Sequence, residues 1–231
     1  MTLLNISPFA ISRRGAFFNH FDLFFKGFLY TLGISFGALL LALILGILSG
    51  GLSTSKSKVG KLISRIYVEV FQNTPLLVQM VFVYYGLAII SNGHVMISAF
   101  FTAVLCVGLY HGAYISEVIR SGIEAVPKGQ TEAALAQGFT ANQTMQLIIL
   151  PQAVRTILPP MTNQVVNLIK NTSTVAIISG ADIMFVAKAW AYDTTNYIPA
   201  FAGAAIFYFV ICFPLASWAR KQEELNKKTY S

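Results

Sequence analysis

A long run of apolar residues at positions 25–50 restricts what this chain can fold into more than any other feature. Its one charged side chain is Lys26. A bilayer core about 30 Å thick is crossed by roughly 20 mostly apolar helical residues, so this run is long enough to span it. The mean hydropathy of +0.65 and the 55% share of hydrophobic residues extend the conclusion to the whole chain. The sequence predicts an integral membrane protein.

Four further windows have the composition of membrane spans. The second, at residues 75–90, is short and is extended by an amphipathic lead-in from Leu62; the others cover residues 97–119, 161–179 and 198–218. Alternation with a period of two is weak, which favours helices over a membrane β-barrel. The predicted fold class is therefore all-α, with about five transmembrane helices in a single domain, residues 1–231.

The distribution of lysine and arginine predicts the orientation, because cytoplasmic loops retain these residues. Of the 16 basic residues, 11 lie in three segments on one side of the predicted spans: Lys56, Lys58, Lys61 and Arg65; Arg120, Lys128 and Arg155; Arg220, Lys221, Lys227 and Lys228. The opposite loops contain only Lys188. Five spans then place the C-terminus inside and the N-terminus outside, although Arg13, Arg14 and Lys26 weigh against the second assignment. The expected tails are residues 1–23 and 219–231.

Several function classes do not fit this sequence. Nucleic-acid binding requires basic residues on one folded face, whereas here the net charge of +7 is divided among short loops. The 3 histidines are scattered, so no metal-ligand spacing occurs, and Cys106 and Cys212 lie within apolar spans. The nearest approach to a phosphate-binding loop is SKSKVGKL, which lacks the first glycine and the final hydroxyl. We expect no catalytic residue, metal or cofactor in this chain.

The longest predicted cytoplasmic connection, residues 120–158, is called the coupling segment here. It contains three residues that commonly begin or end helices or form turns: Pro127, Gly129 and Gly138. Thr131 is placed to cap a short helix that ends at Gly138, and Thr140 with Gln143 forms a capping box for a second helix. The sequence thus predicts a short helix on the membrane surface, a turn, and a helix that returns into the lipid.

The coupling segment resembles the EAA signature of bacterial ABC importer permeases. The matching sequence is EAALAQGFTANQTMQLIILP, residues 132–151. Three other stretches are similar to the polar amino acid permeases of that family: YVEVFQNTPLLVQMVFVYYGL, LYHGAYISEVIRSGIEAVPKGQ and NLIKNTSTVAII. One departure is Gln72, where many members have arginine. The resemblance covers nearly the whole chain and implies the fold of a type I importer permease in the bacterial cytoplasmic (inner) membrane.

The resemblance also implies partners and roles. In such permeases the EAA helix docks on a separate ATP-binding subunit, which binds ATP and Mg²⁺ and drives alternating access. The residues expected to couple the two subunits here are Glu132, Ala133, Ala134, Gln137 and Gly138. A second permease subunit, identical or a sister chain, and an extracytoplasmic amino-acid-binding protein are the other expected protein partners. No nucleic acid is expected, and the remaining contacts are with membrane lipid.

The fourth predicted span carries a stripe of polar residues that is costly at membrane depth. Asn163, Asn167, Lys170 and Thr174 recur at helical spacing, with Gln164 and Asn171 beside them. Lys170 is expected roughly 13 Å into the membrane core, from a rise of about 1.5 Å per residue. Such a stripe could line a substrate path, with the ammonium meeting a carboxylate. It could equally form the seam between two subunits.

The third span adds His111 and Glu117 to the candidate substrate path. His111 adjoins Gly112 and Ala113, where helices approach closely, and a neutral, hydrogen-bonded imidazole is favoured over a proton relay. Glu117 has Arg120 three residues later, so an ion pair is favoured over a gate or substrate contact.

The function predicted from these features is ATP-driven import of a polar amino acid, with glutamate or glutamine as the specific substrate. The alternative is a secondary, ion-coupled amino acid carrier. A secondary carrier would require an inverted repeat or intramembrane acids, and neither is clear in the sequence.

Overall fold

The computed structural model describes residues 18–229, and every regular element in that range is helical. Eight helices follow one another along this part of the chain: α1 (Phe21–Thr54), α2 (Lys58–Asn73), α3 (Leu76–Ile90), α4 (Ala99–Glu124), α5 (Lys128–Ala136), α6 (Ala141–Ile178), α7 (Ile183–Thr194) and α8 (Tyr197–Thr229). The predicted all-α fold class is confirmed. Residues 1–17 of the expected N-terminal tail and residues 230–231 lie outside the described residues.

Three helices are long and apolar enough to cross a bilayer alone: α1, α4 and the Tyr197–Gln222 part of α8. The remaining candidates are two bent pairs. The axes of α2 and α3 differ by 98°, and those of α6 and α7 by 46°. If each bent pair makes one span, residues 18–229 contain up to five, which is the predicted number.

α1 and α4 pack along most of their length because both present glycines four residues apart. These are Gly46 and Gly50 on α1, and Gly108 and Gly112 on α4. A Cβ atom on Gly46 would lie 2.3 Å from Cγ2 of Ile115, and one on Gly108 would lie 2.7 Å from Cδ2 of Leu41. Small residues let backbones approach closely, which is how helices associate where lipid removes the usual hydrophobic drive.

α2 is fastened to this pair by hydrogen bonds rather than by apolar packing. The Ser64 hydroxyl lies 2.9 Å from that of Ser49 on α1, and the Ser116 hydroxyl on α4 donates to the same Ser49 oxygen at 2.9 Å. The Tyr67 hydroxyl donates to the Leu109 carbonyl at 2.7 Å. The opposite face of α2 exposes apolar side chains: Val59, Leu62, Ile63, Ile66 and Val70. α2 therefore keeps an apolar face for lipid or protein.

The amphipathic lead-in to the second span is not continuous with it. α2 begins at Lys58, with Ser57 accepting a hydrogen bond from the Gly60 N–H, and it ends before Thr74. Thr74 has an extended backbone (φ −113°, ψ 137°) because it precedes a proline. Pro75 is also extended, so α3 starts in a new direction. The second predicted span and its lead-in are therefore two helices that meet at a sharp bend, and the second of them begins at Leu76.

α6 is helical throughout but changes its winding three times. An α-turn (Ala141–Gln143) leads into a π-helical segment (Thr144–Ile149), an α-helix (Leu150–Asn171) and a final 3₁₀ segment (Thr172–Ile178). Pro159 and Pro160 lie inside the α-helical part. α8 then packs against α6 and α7.

Candidate functional site

α5 is the short helix predicted for the coupling segment, and it begins earlier than expected. Its first residue is Lys128, after Pro127, so Thr131 lies inside the helix and does not cap it. At the other end, the Phe139 N–H bonds the Ala134 carbonyl at 3.1 Å and the Gly138 N–H bonds the Leu135 carbonyl at 3.0 Å. This pair is a Schellman motif, which requires a left-handed residue. Gly138 supplies it with φ +86°.

The five residues predicted to couple to a partner divide into two groups. Glu132, Ala133, Gln137 and Gly138 are exposed, whereas Ala134 is only 5% exposed. α5 packs against the π-helical segment of α6. Ala134 is therefore on the side of α5 that packs against α6. The other four residues are exposed and include one carboxylate, that of Glu132.

The returning helix begins as the sequence predicts. The Thr140 hydroxyl accepts from the Gln143 N–H at 3.3 Å, and the Gln143 side chain accepts from the Thr140 N–H at 2.8 Å. This capping box directs the chain from α5 into α6. A movement of α5 therefore acts directly on the base of α6.

Three of the four residues in the predicted polar stripe share one open face of α6. Asn163, Asn167 and Lys170 are all exposed. Thr174 is half-buried, and its hydroxyl donates to the Asn171 carbonyl at 2.7 Å. The helix tightens to 3₁₀ winding after Asn171. This change rotates the Thr174 side chain by roughly 60° from the direction expected in an α-helix, so Thr174 does not lie on the stripe.

Lys170 borders an open cavity of about 300 Å³ that the end of α6 forms with α7 and α8. Ser173 and Tyr208 are the other polar residues of its lining, and the remainder is apolar. Among the side chains that the structure describes, which exclude Glu223 and residues 225–231, no carboxylate lies within ion-pair distance of the Lys170 ammonium. The cation is therefore available to an anionic group from outside the subunit.

His111 is buried between α4 and α6, with 2% of its surface exposed. Its Nδ1 lies 3.3 Å from Oε1 of Gln164, and its Nε2 lies 3.0 Å from Nδ2 of Asn171. Both nitrogens thus have partners on α6. The structure places this imidazole in the helix interface instead of on the open face that carries Asn163, Asn167 and Lys170.

Glu117 is half-buried in the C-terminal third of α4 and pairs with Arg120, as the spacing predicts. The Arg120 Nε donates to Oε2 of Glu117 at 3.0 Å, and the same guanidinium also bonds Glu124. Glu117 lines a cavity of about 410 Å³, whose other polar lining residues are Gln72, Tyr114, Ser121, Thr156 and Gln164. This carboxylate is therefore both an ion-pair partner and part of a cavity wall.

Gln72 and Gln164 are cavity residues that the sequence interpretation did not include in the substrate path. Gln72 donates through Nε2 to the Ala113 carbonyl at 3.2 Å, which fixes its side chain against α4. One signal was present in the sequence, because Gln164 adjoins the stripe. The convergence of Gln72 and Gln164 with Glu117 depends on how α2, α4 and α6 pack, which spacing along one helix does not show.

The described residues do not contain a cluster of metal-ligating side chains. No group of three or more histidine, cysteine, aspartate or glutamate residues comes together within residues 18–229. Cys106 and Cys212 are both buried free thiols.

The chain matches a family model described as the binding-protein-dependent transport system inner membrane component over residues 42–224. A probable glutamine ABC transporter permease protein, GlnM of Bacillus subtilis, is 34% identical over 213 residues, which are 92% of this chain and 97% of that protein. A probable amino-acid ABC transporter permease protein, PatM of Vibrio harveyi, is 36% identical over 200 residues, covering 85% and 89%.

Two solved structures have a similar fold. A crystal structure of an amino acid ABC transporter with histidines superposes with a TM-score of 0.84 at 32% identity, covering 90% of this chain and 96% of that one. An inward-facing form of the MetNI methionine ABC transporter superposes with a TM-score of 0.68 at 16% identity, covering 88% and 98%. The second match indicates the fold alone.

Proposed function

The chain belongs to the binding-protein-dependent transport system inner membrane component family, and we propose that the substrate it helps to import is glutamate or glutamine. The family comprises the permease subunits of ABC importers, so this chain is a membrane component and not the ATPase. Its relatives and the more similar solved structure are amino acid transporters. An ATP-driven importer is therefore favoured over a secondary carrier.

The observation that carries the substrate proposal is the open face of α6. Asn163, Asn167 and Lys170 are exposed there, and none of them is an acid. An ammonium attracts a carboxylate, and a side-chain amide both donates and accepts. A guanidinium substrate would be repelled by Lys170 unless a carboxylate reached the same space. Two of the similar curated proteins bear glutamine in their names, which supports the same class.

The proposed complex has four kinds of component. Two ATP-binding subunits bind ATP and Mg²⁺ and contact α5 through Glu132, Ala133, Gln137 and Gly138. A second permease subunit faces the open side of α6, and an extracytoplasmic binding protein delivers the amino acid. The chain lies in the bacterial cytoplasmic membrane with its C-terminus inside and its N-terminus outside. Substrate then passes by alternating access along Asn163, Asn167, Lys170, Thr174 and Glu117.

The test is uptake of labelled glutamate, glutamine, arginine and histidine by vesicles that hold the complete complex. We expect glutamate or glutamine to be preferred, and we expect Lys170→Met to reduce their uptake at least tenfold, because the variant removes the cation but keeps the length of the side chain. Lys188→Met, which changes an exposed lysine on α7, is the matched control and should transport normally. A preference for arginine, or unchanged uptake in the Lys170 variant, would contradict the proposal.

A further inference from the structure

We propose that His111 is a positioning residue for the substrate path: it fixes the side-chain amide of Gln164 so that the –NH₂ group of this glutamine faces the cavity between α4 and α6. The proposal rests on the proposed function, because it takes that cavity to be part of the route of the amino acid. In this proposal His111 acts by orienting Gln164 and does not itself contact the substrate.

The two hydrogen bonds of His111 define its protonation. With the two amides oriented as they are in the structure, Oε1 of Gln164 lies 3.3 Å from Nδ1 and can only accept, so this arrangement requires the proton on Nδ1. Nδ2 of Asn171, 3.0 Å from Nε2, can only donate, so Nε2 carries a lone pair. A neutral imidazole with its proton on Nδ1 satisfies both partners at once.

This arrangement decides which end of the Gln164 amide is available to a ligand. Oε1 is engaged by His111, whereas Nε2 has no hydrogen-bond partner among residues 18–229. Gln164 lines the cavity of about 410 Å³ together with Gln72 and Glu117. Without the imidazole, the amide could turn by 180° and present its oxygen instead, since its two ends have nearly the same shape.

A fixed –NH₂ group selects a class of ligand atom. It donates two hydrogen bonds, so this wall of the cavity accepts a carboxylate or carboxamide oxygen and disfavours an ammonium or guanidinium. Glu117, whose carboxylate lines the same cavity, has the opposite preference. A zwitterion with a carboxylate or carboxamide side chain can satisfy both walls at once.

The same two hydrogen bonds would be seen if His111 only held α4 against α6. The test must therefore separate an effect on the orientation of the Gln164 amide from an effect on the stability of the fold. The measurement is equilibrium binding of labelled glutamine and glutamate to the purified complete transporter, without its binding protein. Melting temperature is followed in parallel. We expect His111→Leu and Gln164→Ala each to weaken binding roughly 5- to 10-fold, about the value of one hydrogen bond. His94→Leu, in an exposed loop, should leave binding unchanged.

The double variant is decisive. If His111 acts only through Gln164, then His111→Leu in the Gln164→Ala background should cause no further loss of binding. If His111 instead stabilises the packing of α4 against α6, His111→Leu should weaken binding both in the wild type and in the Gln164→Ala variant. Independent, multiplicative losses would therefore overturn the proposal.

Gln164→Glu supplies a check that does not depend on removing a contact. Its carboxylate still accepts from Nδ1–H of His111, but it offers the cavity an oxygen in place of –NH₂. We expect the melting temperature to be kept and glutamine binding to fall at least tenfold, and unchanged binding would contradict the proposal. If wild type imports glutamine and Glu117→Gln impairs binding while the His111 and Gln164 variants do not, the proposed function stands and this inference fails. If the wild-type complex imports neither amino acid, both fail together.

Discussion

Single glycines determine how closely α1 and α4 approach each other. Gly46 has no room for a side chain, because an added Cβ would lie 2.3 Å from Ile115, while Gly51 on the same helix has no atom within 4 Å of that position. The two residues share a helix and differ in what surrounds them. They form a matched pair for measuring the value of this contact.

Gly46→Ala is expected to destabilise the protein by about 1–3 kcal/mol, the usual cost of an overpacked contact. The physical reason is that α1 and α4 must separate along the whole seam to admit one methyl group. Gly51→Ala should be neutral or slightly stabilising, since alanine is the better helix former. Reversible unfolding in mixed detergent measures both. Equal stability of the two variants would contradict the role given to the glycine seam.

Local spacing predicted single-residue contacts well where both partners belong to one helix. The Glu117–Arg120 pair and the Thr140–Gln143 capping box are both present. Such contacts follow from helix geometry alone. The partners of His111 are 53 and 60 residues away in sequence, so they depend on the register between α4 and α6. The spacing of residues along one helix cannot predict how α4 and α6 are aligned with each other.

Among the helices, α5 is the element most directly suited to transmit a signal. It is short and mostly exposed, and its end is fixed by the left-handed Gly138. We expect Glu132→Lys and Gly138→Asp to abolish ATP-driven uptake while the protein remains folded in the membrane. The first reverses the charge of the exposed surface, and the second adds both strain and charge at the turn.

Gly93→Asp is the control for strain in this experiment. Gly93 also has a positive φ of 82° and nothing within 4 Å of an added Cβ, but it lies in the loop between α3 and α4. It should lose a similar amount of stability and keep its transport activity. Normal uptake in either α5 variant would show that the coupling role is misassigned.

The existence of the helices was easier to predict than their boundaries. The window at residues 25–50 falls within α1, and that at residues 97–119 falls within α4 except for its first two residues, because continuous apolar sequence is a strong signal. Residues 180–197 were predicted as an outer loop, yet most of them form α7. Its signal was Asp182, whose carboxylate accepts from the N–H groups of Met184 and Phe185.

On the scale of the whole molecule, the open face of α6 requires a second wall. A single subunit leaves Asn163, Asn167 and Lys170 exposed, which is unfavourable at membrane depth. We expect two permease subunits per transporter, with these faces turned towards each other. Asn163→Cys or Asn167→Cys should then crosslink to a cysteine at the facing position of the second permease.

The matched control is Phe36→Cys, because Phe36 is 67% exposed on α1 and lies among lipid-facing apolar residues. It should not crosslink under the same conditions. Cys106 and Cys212 are buried and should stay unreactive. Full transport activity in a complex shown to contain one permease chain would contradict this assembly.

The proline pair in α6 gives the molecule a built-in hinge. Pro159 and Pro160 have no backbone N–H, so two successive hydrogen bonds of the helix cannot form there. Bending at this level therefore breaks fewer bonds than bending anywhere else along the α-helical part of α6. We expect the first half of α6, residues 141–158, which is joined to α5 through the capping box, to swing on this hinge while Asn163, Asn167 and Lys170 keep their register.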